Sequence, residues 1–98
     1  MMKRSVSYKK VLIERLKNPK EAAAYLNAAL EDEDIRVFLV ALRDVAEAHG
    51  GISFLAKETD LNRESLYRTL SLQGNPTIMN LFHMLDAVGL ELNVKVAV

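Results

Sequence analysis

Apolar residues fall at helical spacing through most of this chain and change to strict alternation only over its last nine positions. The strongest pattern is Ile35, Phe38, Leu39, Leu42, Val45 and Ala46, which predicts a central core helix ended by Gly50-Gly51. Glu31-Asp32-Glu33-Asp34 stands at its start, where the positive end of the helix dipole favours acidic side chains. That suffices to explain the run without a metal. Before it, Ala22, Leu26, Ala29 and Leu30 mark the buried side of a helix, with Tyr25 at the edge of that face. Asn18 is placed as its N-cap, Pro19 at the first helical position and Glu21 at the third, a capping-box arrangement. Val11, Leu12, Ile13 and Leu16 among charged neighbours predict one or two helical turns over Lys9 to Lys17. Met1 to Ser7 reads as a loose arm, in which Ser5-Val6-Ser7-Tyr8 could form a short edge strand. Ser71 to Thr77 is a turn by composition. Ile78, Leu81, Phe82, Leu85 and Val88 then mark a last helix, closed by Gly89 as a left-handed cap.

Between Gly51 and Leu70 the pattern predicts two short helices joined by a tight turn. Leu55 and Ala56 face inward on the first, and Ala56 is small enough for two helices to cross closely at roughly 90–120°. The chain turns at Thr59-Asp60-Leu61, where Leu61 can plug the gap, and Asn62 caps the second helix. Leu66 and Leu70, four apart, give that helix its apolar side. Arg63, Glu64, Tyr67 and Arg68 project outward, where a helix-turn-helix meets DNA base edges and phosphates. An ordinary helical hairpin would carry similar apolar spacing, so this pattern alone leaves both readings open.

The final alternation of Leu90, Leu92, Val94, Val96 and Val98 with Glu91, Asn93, Lys95 and Ala97 predicts a strand with one buried face. A lone strand leaves half its backbone groups unpaired, so it needs a partner: residues 5–8, another protein, or a second copy. The second copy is favoured, because a palindromic operator requires a dimer. Leu90, Leu92, Val94 and Val96 are then the dimerisation residues.

Composition narrows the classes. At 98 residues, half of them hydrophobic, the chain holds one core. With no cysteine there is neither a disulfide framework nor a thiolate metal site, and His49 and His83 are too far apart in sequence to suggest one. No apolar run approaches the roughly 20 residues of a membrane span, and no signal-peptide core is present, so a cytoplasmic protein is the default. No cofactor-binding pattern, histidine–acid pairing or glycine-rich phosphate loop points to catalysis. Formal net charge is zero, but residues 1–20 carry seven Lys and Arg against a single acid, while residues 21–49 carry two against seven. The basic arm suits phosphate, an acidic partner or simple solvation.

Four blocks resemble the HigA-like addiction-module antidote family, antitoxins with a Cro/C1-type (XRE) helix-turn-helix: Ala24 to Asp32, Phe38 to Leu42, Leu66 to Ser71 and Gly74 to Thr77. The resemblance spans roughly residues 18 to 93. It implies a mainly α fold, a five-helix lambda-repressor-like helix-turn-helix domain with a short C-terminal β-strand. The chain then divides into a basic arm and short helix (1–17), the helical domain (18–89) and a dimerising strand (90–98). It further implies a homodimer that binds a RelE/ParE-like toxin and represses its own operon at double-stranded operator DNA. Mapped onto this chain, the helix from about Arg63 would enter the major groove, with Arg63, Glu64, Tyr67 and Arg68 facing bases. Ser53, Lys57, Asn62 and Asn75 would contact phosphates. Two features depart from the usual pattern: Asp60 stands where glycine is common, and Thr69 stands where a second apolar residue is expected, with Leu70 beside it. The alternative is a helical protein-interaction module without specific DNA binding, consistent with three cations against three acids over residues 52–76.

Overall fold

The computed structural model describes residues 2–71 and 73–98, with side chains from Tyr8 onward. Met1 of the expected arm and Leu72 of the expected turn lie outside it. Among the described residues it holds six helices: α1 (Met2–Arg15), α2 (Pro19–Leu30), α3 (Ile35–Ala48), α4 (Gly51–Thr59), α5 (Arg63–Thr69) and α6 (Ile78–Ala87). Five of them fall within the predicted domain of residues 18–89. The buried stripe of α3, Phe38, Leu39, Leu42 and Val45, is the surface on which the rest assembles. α1, α2 and α4 all pack on α3, and α4 in turn contacts α5 and α6. Leu16, Leu26, Leu55, Leu66, Leu70, Met84 and Leu85 complete one continuous core.

Local chemistry sets the helix ends. The Asn18 side chain accepts from the Lys20 N–H at 2.8 Å, as an N-cap should. The capping box is only half made: Glu21 instead receives the Arg15 guanidinium at 2.8 Å, a charge-assisted bond brought close by the last turn of α1. The acidic run forms the loop before α3. Asp32 accepts the Asp34 N–H at 2.8 Å, and Asp34 caps α3 through the Arg36 N–H at 2.9 Å. Tyr25 Oη donates to Asp44 Oδ2 at 2.7 Å, and Lys9 Nζ lies 3.5 Å from Asp44 Oδ1, tying α1 and α2 to α3. Burial, then this bond to a carboxylate, pushes the Tyr25 phenol pKa up.

Several expectations are corrected. Residues 5–8 belong to a continuous helix from Met2 to Arg15, so neither a loose arm nor an edge strand stands there. The Leu90–Val98 segment forms no strand. The Leu90 N–H bonds back to the Leu85 carbonyl at 2.8 Å, behind the left-handed Gly89, and every residue after it is exposed. The physical reason is the lack of an edge: among the described residues every element is a helix, which leaves no free backbone ladder for a strand to join. Leu92, Val94 and Val96 are therefore unpaired in the single chain. Leu30, Val11, Ile35, Ile78 and Phe82 are exposed instead of buried, Ile35 at 60% and Ile78 at 61%. In α6 the inward stripe is Leu81, Met84, Leu85 and Val88, an i, i+3, i+4, i+7 series that leaves Ile78 and Phe82 off its face and makes Met84 a core residue.

Asp34 offers a test of the α3 cap. Its carboxyl is held at about 2, below its ordinary 3.8, first by the hydrogen bond from the Arg36 side chain and then by the Arg36 backbone N–H. A carboxyl depressed by folding adds stability that is complete above its unfolded value and is lost as pH falls through its folded value. Folding stability is therefore expected to decline from about pH 4 to about pH 2 with a component that Asp34→Asn removes, read as the urea midpoint of both proteins against pH.

Candidate nucleic-acid interface

α4 and α5 meet through a turn whose geometry is unusual for its residue type. Thr59 Oγ1 donates to the Leu55 carbonyl at 2.6 Å and accepts the Leu61 N–H at 3.3 Å, bracketing Asp60. Asp60 sits at φ +62°, the one non-glycine in the left-handed region among the described residues. Aspartate is among the few residues that visit this region at modest cost. Leu61 and Ala56 pack, half-buried, against the core, filling the corner between the two helices. Asn62 then starts α5 by accepting the Ser65 N–H at 2.7 Å.

The register of α5 follows from what it buries. Leu66 and Leu70 are both in the core and Thr69 beside them is half-buried, so the apolar contact falls on Leu70. At about 100° per residue, Glu64 and Arg68 stand opposite this buried edge, with Tyr67 and Arg63 on one flank. All four side chains are exposed. Tyr67 leans toward the neighbouring helices: it lines a shallow cleft of about 180 Å³ with Arg43 and Glu47 of α3 and Ile52 of α4. Arg43 is thus an exposed cation beside the candidate face that the sequence pattern did not single out. The sequence offered no signal for it, since α3 carries two arginines, Arg36 and Arg43, against Asp44 and Glu47.

The remaining candidates surround this face. Ser53 and Lys57, one turn apart, are exposed on α4. Asn62 is exposed but spends its side-chain oxygen on the α5 cap, which leaves its amide N–H groups as the available donors. Asn75 is exposed just past Gly74, which folds back under the end of α5. A Cβ on Gly74 would lie 1.8 Å from the Thr69 carbonyl oxygen, so only glycine permits that approach. Ser71 Oγ donates to the Arg68 carbonyl at 2.7 Å, and the Gly74 N–H reaches the Ser71 carbonyl at 3.0 Å. Arg68 and Asn75 are thereby brought to one end of α5, and Asn62 and Arg63 to the other. Among the described residues no ion pair engages Lys57, Arg63 or Arg68. Of the C-terminal candidates, Leu90 is half-buried, Leu92 lies by Leu30, Phe38 and Leu85, and Val94 and Val96 are fully open to solvent.

Residues 8–96 match the model of a protein family described as probable addiction module antidote protein. An uncharacterized protein of Haemophilus influenzae is 35% identical over 82 residues, covering 84% of this chain and 84% of its own. No solved structure matches the chain.

The Gly74 contact makes a direct prediction. Gly74→Ala forces the turn off the end of α5 and is expected to destabilise the fold by about 2–3 kcal/mol. Asn75→Ala, at the exposed neighbour, should stay within about 0.5 kcal/mol of the parent. Urea denaturation of the two variants checks both.

Proposed function

The chain belongs to the family of probable addiction module antidote proteins, and from that membership we propose that it is the HigA-like antitoxin of a type II toxin–antitoxin module. In this reading it neutralises a RelE/ParE-like toxin by direct binding and represses its own operon at a specific operator, in the cytoplasm. Family membership over residues 8–96 carries the toxin-binding half of the proposal. The α4–α5 pair supports the DNA-binding half. It has the short turn, the inward Leu55, Leu66 and Leu70 and the outward polar side chains that an XRE-type helix-turn-helix uses.

α4 would lie across the phosphate backbone, with Ser53 and Lys57 toward phosphates, and α5 would enter the major groove. Arg68 and Arg63 are the residues of this face whose chemistry suits guanine, whose O6 and N7 accept a bidentate guanidinium. Glu64 would accept from a cytosine amino group, and Tyr67 would add apolar and hydroxyl contact at the flank. Asn62 and Asn75, at opposite ends of α5, would fix its depth in the groove through phosphates. The exposed alternating segment of residues 90–98 would pair with that of a second copy, supplying each strand with the edge it lacks in the single chain. The resulting two-fold dimer would match a palindromic operator.

The second reading, a protein-interaction module that binds toxin alone, draws on the balanced charge of residues 52–76, since DNA affinity rests on phosphate neutralisation. Fluorescence anisotropy on the chain's own upstream DNA, beside a scrambled duplex, separates the two. Arg68→Ala or Arg63→Ala is expected to weaken operator binding by about 1–3 kcal/mol and lower the salt slope by about one, with toxin binding intact. Equal, weak binding of the parent to both duplexes would leave only the interaction module. Truncation after Gly89 is expected to convert the dimer to a monomer in sedimentation and to lose tight operator binding with it; a truncated chain that still dimerises would put the interface elsewhere.

A further inference from the structure

α2 and α3 run side by side, and on one flank of their contact they leave an open apolar groove of about 620 Å³. Its walls are Tyr25, Ala28 and Ala29 of α2 and Val37, Val40 and Ala41 of α3. Val37 and Val40 are 40% and 42% exposed. The groove has few polar groups: Asp34 and Arg36 at its rim satisfy each other at 2.6 Å. A small-molecule site needs several convergent polar groups to orient its ligand, and none are here, so the walls suit the side chains of another protein.

Charge selects which protein. The loop joining α2 to α3 necessarily closes one end of the groove, and it carries Glu31, Asp32 and Glu33, all exposed and without an ion pair among the described residues. The surrounding segment, residues 21–49, holds seven acids against two cations. A second copy packed isologously on this face would bring two acidic segments together, which opposes association. The C-terminal segment of the same chain lies on the other flank of α2, by Ala23, Asn27 and Leu30, and does not enter the groove.

We infer that the α2–α3 groove is the docking surface for the toxin, receiving an apolar ridge flanked by Lys or Arg. This rests on the antitoxin reading above and deepens it by giving that partner a surface and a chemistry. It places the toxin on α2–α3 and the operator on α4–α5, so one chain could hold both.

The test uses full-length protein and the product of the reading frame adjacent to its gene, purified and titrated by calorimetry at several salt concentrations. Val40→Glu and Val37→Glu, both at partly exposed positions, are expected to weaken binding about tenfold or more. Phe82→Glu, on the exposed side of α6, should leave it unchanged. The exposed pair Glu31→Lys with Glu33→Lys should weaken binding and flatten its salt dependence, and it tests the groove even if a valine variant melts early. Toxin binding by the parent that survives all of these variants overturns this surface while leaving neutralisation in place. A change of oligomeric state in Val40→Glu alone would assign the groove to a second copy and overturn it equally. No binding by the parent overturns both this inference and the antitoxin reading.

Discussion

The buried stripe of α3 is the surface that every other part of this protein depends on. Phe38, Leu39, Leu42 and Val45 are covered by three different helices, and no polar side chain is buried with them among the described residues. Close packing of that kind is intolerant of displacement, because voids and overlaps both cost free energy. α4 is held against this stripe, and α5 is held only through α4, the turn and its own Leu66 and Leu70. The orientation of the candidate DNA-reading helix is therefore inherited from α3, two contacts away. The Tyr25–Asp44–Lys9 linkage adds a polar tie where α1 and α2 meet α3.

Two backbone devices then fix how α5 sits. Asp60 turns the chain in a conformation that most side chains avoid, braced by the two Thr59 hydroxyl contacts. Gly74 closes the other end by pressing its backbone against the Thr69 carbonyl. With a short left-handed turn before it and a glycine contact after it, a seven-residue helix gains a defined position that its own length could not secure.

Charge is divided along the same architecture. The loop between α2 and α3 is acidic, with Glu31 to Asp34, and the two helices carry the apolar groove, whereas α4–α5 is balanced and presents its cations without intramolecular partners among the described residues. Such a separation allows a basic protein and a polyanion to be held at once without competing for the same charges. With Glu58, Asp60 and Glu64 among the cations of that segment, the proposed operator binding would have to draw on specific contacts and on the proposed dimer for what net charge does not supply.

The α-helical class, the six helical segments, the Asn18 and Asn62 starts and the left-handed Gly89 all lie in short-range pattern, because caps and 3.6-residue periodicity act within a turn or two of chain. The exposure of Arg63, Glu64, Tyr67 and Arg68 was legible for the same reason, as the complement of Leu66 and Leu70. What the tertiary structure decided is which apolar residues find a neighbour. Val37 and Val40 came to line a groove and Met84 became a core residue because α3 and α6 each have partners on some sides and none on others. Arg43 came beside Tyr67 only through the packing of α4 and α5 on α3. The Leu90–Val98 alternation marks the limit: period shows that one face wants burial, but a strand exists only where another backbone offers it hydrogen bonds.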